Sequence, residues 1–360
     1  MSEANFTPYT NRGVTCGSDK ENPYLTALID WCQITVHDVS PEDIADDILQ
    51  IPYRLMKNDL RGGIKGYSSM MCFDDIRILE GGLSTSNEGS FQILMAGQGC
   101  RNFEKFLEAR EETWFDFFER VLEYNVNFPR IDLAIDDRKT YFKIPKLIQL
   151  AKNGFAVSKL RSGERHDAFK LKDGEHRGAT LNFGSRSSEF FMAFYEKNYE
   201  RAEAFESEDV GESWNRYELR FRQKRAVNLV HELVKRKEVF SIAMEILNEY
   251  LKFVKRPVGC KENRTRDLPL WEPWAWFMQD VKKLNLYMKP EAKNYFSMLN
   301  WIRVSVAPTL LILKTVDDIL GTNELESLIE NAKLTPKHEA LLEDCVNQAL
   351  GFLELGISFD

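Results

Sequence analysis

Residues 214–222 alternate between two kinds of side chain with a period of two residues. Successive side chains of a β-strand point to opposite faces of its sheet, so this alternation predicts a strand with one buried face. The predicted buried side chains are Tyr217, Leu219 and Phe221, and those of the other face are Trp214, Arg216, Glu218, Arg220 and Arg222. One acid among large cationic and aromatic neighbours is unusual for a face that only meets solvent.

A second segment, residues 130–136, alternates just as strictly. Ile131, Leu133 and Ile135 share one face, whereas Arg130, Asp132 and Asp136 share the other. Two carboxylates are therefore predicted on one side of this strand. Further strands are predicted at residues 29–36, 91–96, 179–184 and 190–197, and the last of these carries Tyr195.

Apolar residues at helical spacing predict one long or one broken helix over residues 101–124 and another over 144–151. After Lys224 the pattern is helical almost to the end of the chain. The fold class is therefore predicted to be α+β, with an antiparallel β-sheet domain and packed helices followed by a mostly helical C-terminal region. The expected division is a flexible polar tail at residues 1–26, a sheet domain at 27–225 and a helical region at 226–360.

The overall charge of −8 argues against a nucleic-acid protein, because DNA and RNA are polyanions. The charge is unevenly distributed, since residues 224–266 hold eleven Lys and Arg against five Glu, whereas residues 200–212 are strongly acidic. If the chain binds DNA, basic side chains from Arg216 to Arg266 are expected to converge on one groove near Tyr195, away from the acidic segment. The alternative is that these basic residues form the solvated faces of helices.

The chain has no run of eighteen apolar residues, and its first residues lack the basic and apolar stretches of a signal peptide. A cytoplasmic protein with no membrane partner is therefore expected. The six cysteines include no CxxC pair, which favours reduced, packed thiols over a zinc site or a disulfide framework.

Three motifs, RIDLAIDD, TLNFGSRSSEFFMAFYEKNYE and WNRYELRFR, resemble in their order the core motifs of the Rep_trans replication initiation factor family. That family contains initiators of rolling-circle plasmids and relaxases of integrative conjugative elements. The resemblance runs from about Ile29 to Leu320 and includes AGQGCRNFE and NYFSMLNWIRVSVAP. It implies that Tyr195 is the nucleophile and that Asp132, Asp136 and Glu218 are the family's acidic residues.

The resemblance implies a site-specific enzyme that nicks one DNA strand at an origin, leaving a 5′-phosphotyrosyl link and a free 3′-OH. Residues 27–225 would then be the catalytic nicking domain, and residues 226–360 would serve DNA binding or assembly. DNA, a helicase and a second copy of the chain are the implied partners. The chain alone does not separate a plasmid initiator from a conjugative relaxase.

The residues agree with this chemistry. A tyrosine hydroxyl has a pKa near 10, so attack on a phosphodiester needs a positive neighbour that favours the phenolate, and Lys197 and Arg186 are candidates. Asp132, Asp136 and Glu218 offer oxygen ligands suited to Mg²⁺ or Mn²⁺. None of the five histidines forms an H-x-H pair, so a metal site would be built from carboxylates. The predicted DNA-binding side chains are those of Arg216, Arg220, Arg222, Lys224 and Arg225.

Each of these residues also has an ordinary structural interpretation. Tyr195 could be a strand residue of the core, Asp132 and Asp136 could face solvent, and Glu218 could belong to a surface ion-pair ladder. The segment Gly97-Gln98-Gly99 is interpreted as a tight turn, since nothing specific for phosphate follows it. The alternative function is a non-catalytic, DNA-binding regulatory protein of the same fold.

Overall fold

The computed structural model of this chain describes residues 24–278 except 60, 61, 85, 86, 208 and 263, and then residues 302, 306–335, 339, 342, 343 and 346. Most of the predicted N-terminal tail lies outside the described residues. Most of the NYFSMLNWIRVSVAP segment and most of residues 336–360, the end of the predicted helical region, do so as well. The chain divides into two compact units, residues 1–286 and 287–360.

The first unit is built on one ten-stranded sheet whose described strand pairs are all antiparallel. The bounds of its strands are β1 Leu25–His37, β2 Lys57–Asn58, β3 Tyr67–Phe73, β4 Ile76–Gly82, β5 Ser90–Ala96, β6 Val126–Asp137, β8 Gly163–Phe169, β9 His176–Phe183, β10 Phe190–Glu196 and β11 Asn215–Arg222. Their spatial order is β2-β3-β4-β5-β1-β6-β11-β10-β9-β8. The short strands β7 (Ala156–Ser158) and β12 (Leu251–Phe253) form a separate pair.

Most helices share a core on one face of this sheet, whereas the helix Lys197–Ala204 contributes no residue to that core. The helices of the first unit are α1 Pro41–Asp43, which continues as a π-helical turn at Ile44–Leu49, α2 Gln98–Ala109, α3 Trp114–Val121, α4 Ile144–Lys152, α5 Lys197–Ala204, α6 Lys224–Arg236, α7 Phe240–Tyr250 and α8 Glu272–Met278. Phe117, Leu147 and Leu229 from three of these helices share one core with the sheet residues Leu133 and Leu219. The predicted alternation of apolar core residues with polar residues in β6 and β11 is confirmed. The polar residues Asp132, Asp136, Arg216 and Glu218 are buried as well, so these strands do not have only one buried face.

The predicted helix over residues 101–124 is broken into α2 and α3. Glu111 between them has a positive φ of 56°, which an α-helix does not allow. Thr113 then caps α3, because its side chain accepts from the backbone N–H of Asp116 and the Asp116 carboxylate accepts from the backbone N–H of Thr113.

The described part of the second unit contains helices α9 (Ala307–Leu320) and α10 (Glu324–Glu330). Asp317 joins them, since its carboxylate accepts hydrogen bonds from the Thr322 hydroxyl and the Leu325 backbone N–H. The predicted α+β class, with an antiparallel sheet and packed helices, is confirmed. No helix within the described residues is both long enough and apolar enough to cross a bilayer.

Candidate active site

The face of the sheet opposite the helical core carries rows of polar side chains, and we call it the polar face. Strand register sets these rows. Tyr195 of β10 pairs with Arg216 of β11, and Arg216 pairs in turn with Asp136 of β6. One step along the strands, Glu218 lies between Ala193 and Ala134. The two alternating segments and the tyrosine strand are therefore neighbours in the sheet.

Tyr195 donates a hydrogen bond of 2.5 Å from its hydroxyl to Oε1 of Glu218. The two residues are diagonal neighbours on β10 and β11, a separation that an aromatic side chain can bridge. The residue opposite Glu218 is Ala193, whose small side chain leaves room for the contact. A carboxylate at this distance is placed to accept the phenolic proton.

The surroundings of Tyr195 keep its hydroxyl protonated. Burial raises the pKa of Tyr195 well above its usual range, and the negative charge of Glu218 raises it further, although Arg216 acts in the opposite direction. Lys197, the first residue of α5, has its ammonium 5.6 Å from the centre of the Tyr195 ring and forms an ion pair with Glu200. Ionisation of the phenol therefore needs a base in direct contact.

Arg216 holds the centre of the polar face in place. Its Nε and Nη2 donate to the two carboxylate oxygens of Asp136, at 2.7 and 2.9 Å, and its Nη1 donates to Asp30 at 2.9 Å. Trp214 donates to Asp136 from its indole nitrogen at 3.0 Å. Burial lowers the pKa of Arg216, but the two carboxylates outweigh burial and hold that pKa well above its usual range. Arg216 is buried, so this network is a fixed, charged support beside Tyr195.

Two further arginines form hydrogen bonds with Asp132 and Glu218, the other two carboxylates predicted to bind a metal. Arg220 donates to Oε2 of Glu218 from Nη2 at 2.6 Å and from Nε at 3.1 Å. Arg130 donates to both oxygens of Asp132, at 2.9 and 2.5 Å. Burial raises the pKa of Asp132 to about 6 in spite of Arg130.

The three predicted metal ligands thus already have cationic partners. Asp132, Asp136 and Glu218 each accept from an arginine, and the part of the chain that the structure describes holds no group of three His, Cys, Asp or Glu residues arranged to bind a metal ion. A divalent cation would have to displace a guanidinium to reach any of them. In this arrangement the donor set does not fit Mg²⁺ or Mn²⁺, and the metal stays a prediction from the sequence.

A cavity of about 480 Å³ opens over Tyr195. Of the predicted site residues, its lining includes Tyr195, Lys197, Asp132, Glu218, Arg216 and Arg220. Arg186 lies in the exposed turn after β9 and lines a second cavity on the other side of Tyr195. Arg222, Lys224 and Arg225 line neither of these two cavities.

The charge distribution differs from the expectation in two respects. Glu200 of the acidic segment lines both cavities, so the prediction that this segment lies away from Tyr195 is wrong. The reason is that α5 begins directly at the end of the tyrosine strand, which brings its first turn to the site. The predicted convergence of the basic side chains is wrong as well, since only Arg216 and Arg220 of those from Arg216 to Arg266 line either cavity. Arg236 and Lys237 instead pair with Glu245 and Glu119.

Asp30 and Trp31, which the sequence analysis did not single out, also line the first cavity. Strand β1 slips against β6 between Ile29 and Trp31, so Asp30 is an extra residue at a β-bulge. Consequently both Asp30 and Trp31 lie on the polar face. The bulge shifts the alternation by one residue, and this shift is visible in the sequence. The core residues have odd numbers before it (Leu25, Ala27 and Ile29) and even numbers after it (Cys32, Ile34 and Val36).

Arg101 of α2 is a third residue of the first cavity that the sequence analysis missed. Only 5% of its surface is exposed, and among the described residues its Nε and Nη1 have no hydrogen-bond partner. Its Nη2 forms an ion pair with Glu104 at 2.8 Å. Gly97 and Gln98, which begin this helix, line the same cavity. The segment Gly97-Gln98-Gly99 therefore places the N-terminus of α2 and the buried guanidinium of Arg101 beside Tyr195. Both groups carry positive charge or partial charge, which stabilises an anion.

Comparisons with known proteins identify the family of this chain. Residues 126–329 match the family described as replication initiation factor, and residues 26–120 match the rolling circle replication initiation protein N-terminal domain. The chain is 38% identical over 354 residues to "Putative DNA relaxase NicK" of Bacillus subtilis (strain 168), an alignment that covers 95% of this chain and 97% of that protein. This chain also resembles a solved structure, that of the rolling circle replication initiator protein from Geobacillus stearothermophilus, with a TM-score of 0.60 and 26% sequence identity. The superposition covers 73% of this chain and 100% of the Geobacillus chain.

Proposed function

This chain belongs to the replication initiation factor family, and on that basis we propose that it is an enzyme that nicks and rejoins one strand of DNA through Tyr195. The observation that supports this most directly is the 2.5 Å hydrogen bond from the Tyr195 hydroxyl to Glu218 beside an arginine-lined cavity. A regulatory protein that only binds DNA would have no chemical need for a tyrosine held against a carboxylate.

Glu218 is the general base of the proposed reaction. It takes the phenolic proton as the Tyr195 oxygen attacks the phosphorus atom of a phosphodiester. The bond between phosphorus and the 3′ oxygen breaks, and the leaving oxygen takes a proton from water as the free 3′-OH forms. The product is a 5′-phosphotyrosyl link, which conserves the phosphodiester bond energy, so that attack by a 3′-OH can rejoin the strand.

Cations around the first cavity stabilise the charge on the phosphate oxygens. Arg220 and Lys197 lie beside Tyr195, and their present partners, Glu218 and Glu200, sit on the same cavity. Arg101 adds two nitrogens without a partner among the described residues. Arg216 is a positioning residue, because its Nε, Nη1 and Nη2 are all engaged by Asp136 and Asp30.

The test uses supercoiled DNA that carries a candidate origin, followed by denaturing electrophoresis for a protein-linked 5′ end. Wild-type protein should yield nicked circles and a covalent adduct, whereas Tyr195→Phe should yield neither while binding the origin nearly as well. Tyr199→Phe is the matched control, since it removes a hydroxyl only four residues away. An adduct that persists in Tyr195→Phe and disappears in Tyr199→Phe would contradict the assignment.

The partners implied by the family are proposed on the same footing. A nicking enzyme at an origin acts on DNA and leaves a 3′ end that a polymerase can extend. A helicase that opens the nicked duplex and a homodimer stay predictions. Genes beside this one would separate the two cellular roles, since a coupling ATPase and an integrase indicate a conjugative element, whereas a small circular replicon indicates a plasmid initiator.

A further inference from the structure

The second cavity lies against Tyr195 on the side of strands β8 and β9, and its volume is about 630 Å³. It shares four residues with the first cavity, namely Tyr195, Glu200, Glu218 and Arg220. A DNA strand with one phosphate at the Tyr195 hydroxyl therefore has a cavity on each side of that phosphate. The lining of the first cavity has more basic than acidic side chains, which suits the phosphate, whereas that of the second has more acidic than basic ones and requires a separate explanation.

Asn182 is the least ordinary residue of the second cavity. It lies on the polar face of β9, opposite Ala193, while its neighbours Leu181 and Phe183 belong to the core. Only 2% of its surface is exposed, and its Nδ2 has no hydrogen-bond partner among the described residues. A buried amide donor without an acceptor is unfavourable, so such groups call for a partner that binds there.

An aromatic wall faces the same cavity. Tyr199 of α5 lines it, and the ring of His176 packs edge-on against Tyr199 with 5.0 Å between ring centres. His176 is held in turn by Glu196, 2.6 Å from its Nε2. Gly178 lets Tyr199 approach the sheet closely, because its φ is +122° and a Cβ at that position would lie 3.0 Å from the Tyr199 Cβ. The rings of Tyr199 and His176 are therefore held in position without a ligand.

We propose that the second cavity binds one nucleobase of the strand being cut, the base of a nucleotide that flanks the scissile phosphate. Asn182 donates to an acceptor atom on the edge of that base, and Tyr199 offers its ring for stacking. Arg186 and Arg177, which also line the cavity, suit the phosphate of the same nucleotide. This inference rests on the proposed strand-nicking function and adds a determinant of where the strand is cut.

The first measurement maps the cut in a labelled single-stranded oligonucleotide that contains the nick site. Two further oligonucleotides then carry one abasic site each, the first on the 5′ side of the scissile phosphate and the second on its 3′ side. Wild-type protein should cut one of the two about tenfold more slowly than the intact strand, the order of loss expected for one stacked base. Asn182→Leu and Tyr199→Leu should cut the intact strand slowly and lose most of this discrimination. The matched control is Asn127→Leu, an exposed asparagine of β6 that lines neither cavity, and it should behave like the wild type.

Two controls separate the inference from misfolding and from failure of the proposed function. Asn182→Leu removes an unpaired buried donor, so its melting temperature should not fall below that of the wild type. Equilibrium binding of the same three oligonucleotides needs no chemistry, and the abasic penalty on Kd should appear in the wild type and vanish in Asn182→Leu. Equal cutting and equal binding of all three strands by the wild type would overturn the base site while leaving nicking by Tyr195 intact. Unchanged discrimination in Asn182→Leu would overturn it as well. A mapped cut that persists in Tyr195→Phe would instead overturn the proposed function, and binding of the three oligonucleotides would still decide the base site.

Discussion

The hydroxyl of Tyr195 on β10 donates a hydrogen bond to Glu218 on the adjacent strand β11. Glu218 lies two residues beyond Arg216, the residue that pairs directly with Tyr195. The same carboxylate accepts from Arg220 through its other oxygen. Glu218 therefore contacts the phenol through one oxygen and a guanidinium through the other, so a carboxylate oxygen is already placed to accept the phenolic proton. The raised pKa of Tyr195 makes this base necessary, since burial and the nearby carboxylate both disfavour a free phenolate.

Glu218→Gln should therefore slow nicking by roughly a hundredfold or more, the usual contribution of a general base, without weakening origin binding. The amide can still accept a hydrogen bond from Tyr195 but cannot take its proton. Single-turnover cleavage with saturating protein measures the step directly. Glu108→Gln is the control, an exposed glutamate on α2 that lines neither cavity. Wild-type cleavage rates in Glu218→Gln would show that another group receives the proton.

Replacing Arg216 tests the buried network under Tyr195. Arg216→Met should lower the free energy of unfolding by about 3–5 kcal/mol, because it leaves the buried carboxylate of Asp136 without its partner. Arg216→Lys keeps the charge but loses the paired hydrogen bonds, so it should fold more stably than the Met variant and still nick slowly. Urea unfolding gives the stabilities. Arg266→Lys, at an exposed ion pair, should change stability by less than about 0.5 kcal/mol. Equal stability of wild type and Arg216→Met would mean that the network contributes nothing.

The carboxyl of Asp132 should give stability a pH dependence in an acidic window. Burial raises its pKa from 3.8 to about 6, so the folded protein holds this proton more tightly than the unfolded chain does. Its contribution to stability is therefore fully present below pH 3.8 and is lost as the pH rises through about 6. The stability of the wild type relative to Asp132→Asn should fall between pH 4 and pH 6 and be flat above pH 7. Thermal unfolding of both proteins at several pH values tests it, and a constant difference across that range would contradict the shift.

The same residues bear on the metal predicted from the sequence. Arg130 donates hydrogen bonds to the carboxylate of Asp132, and Arg220 to that of Glu218. The protein without DNA should therefore show no saturable binding of Mg²⁺ or Mn²⁺ at this site. Calorimetric titration of the free protein with each cation checks this. Saturable binding that is lost in both Asp132→Asn and Glu218→Gln would restore the carboxylate metal site. A cation that is needed for nicking but bound only with DNA would leave the expectation for the free protein intact.

The sequence predicted the strands of this site better than their assembly. Alternation alone assigned Asp132, Asp136, Arg216 and Glu218 to polar faces, because side-chain direction in a strand follows from position. Which residue stands opposite which depends on register and strand order, so the pairing of Asp136 with Arg216 was beyond reach.

The residues that the sequence analysis missed share a different cause. Asp30 reaches the polar face only through a bulge, which interrupts the alternation that was used to find strands. Arg101 lies in a helix whose amphipathic pattern predicts ordinary packing, and only the fold brings the start of that helix to Tyr195. Asn182 has no distinguishing sequence neighbours, and its significance comes from an Nδ2 atom that is left without a hydrogen-bond partner within the part of the chain that the structure describes.

The last prediction concerns how DNA extends beyond the first cavity. Arg222 lies opposite Arg130, and the Arg130 guanidinium stacks 4.0 Å from the centre of the Trp31 ring, with Lys65 5.2 Å from the same ring. Burial lowers the pKa values of Arg222 and Lys65, and repulsion from Arg130 lowers both further. Among the described residues the buried Nε of Arg222 has no acceptor. Mutually repelling cations beside an aromatic ring suit a backbone phosphate and its stacked base.

Arg222→Ala should therefore weaken DNA binding and reduce the slope of log affinity against log salt by about 0.7, the contribution of one phosphate on a single strand. Trp31→Ala should weaken binding with little change of slope, because it removes a stacking surface and no charge. Fluorescence anisotropy with a labelled nick-site oligonucleotide at several salt concentrations separates the two effects. Lys237→Ala is the control, since Lys237 pairs with Glu119 and lines neither cavity, and it should leave the slope unchanged. A slope that falls in Lys237→Ala and not in Arg222→Ala would place the DNA on the basic helices instead of along the polar face.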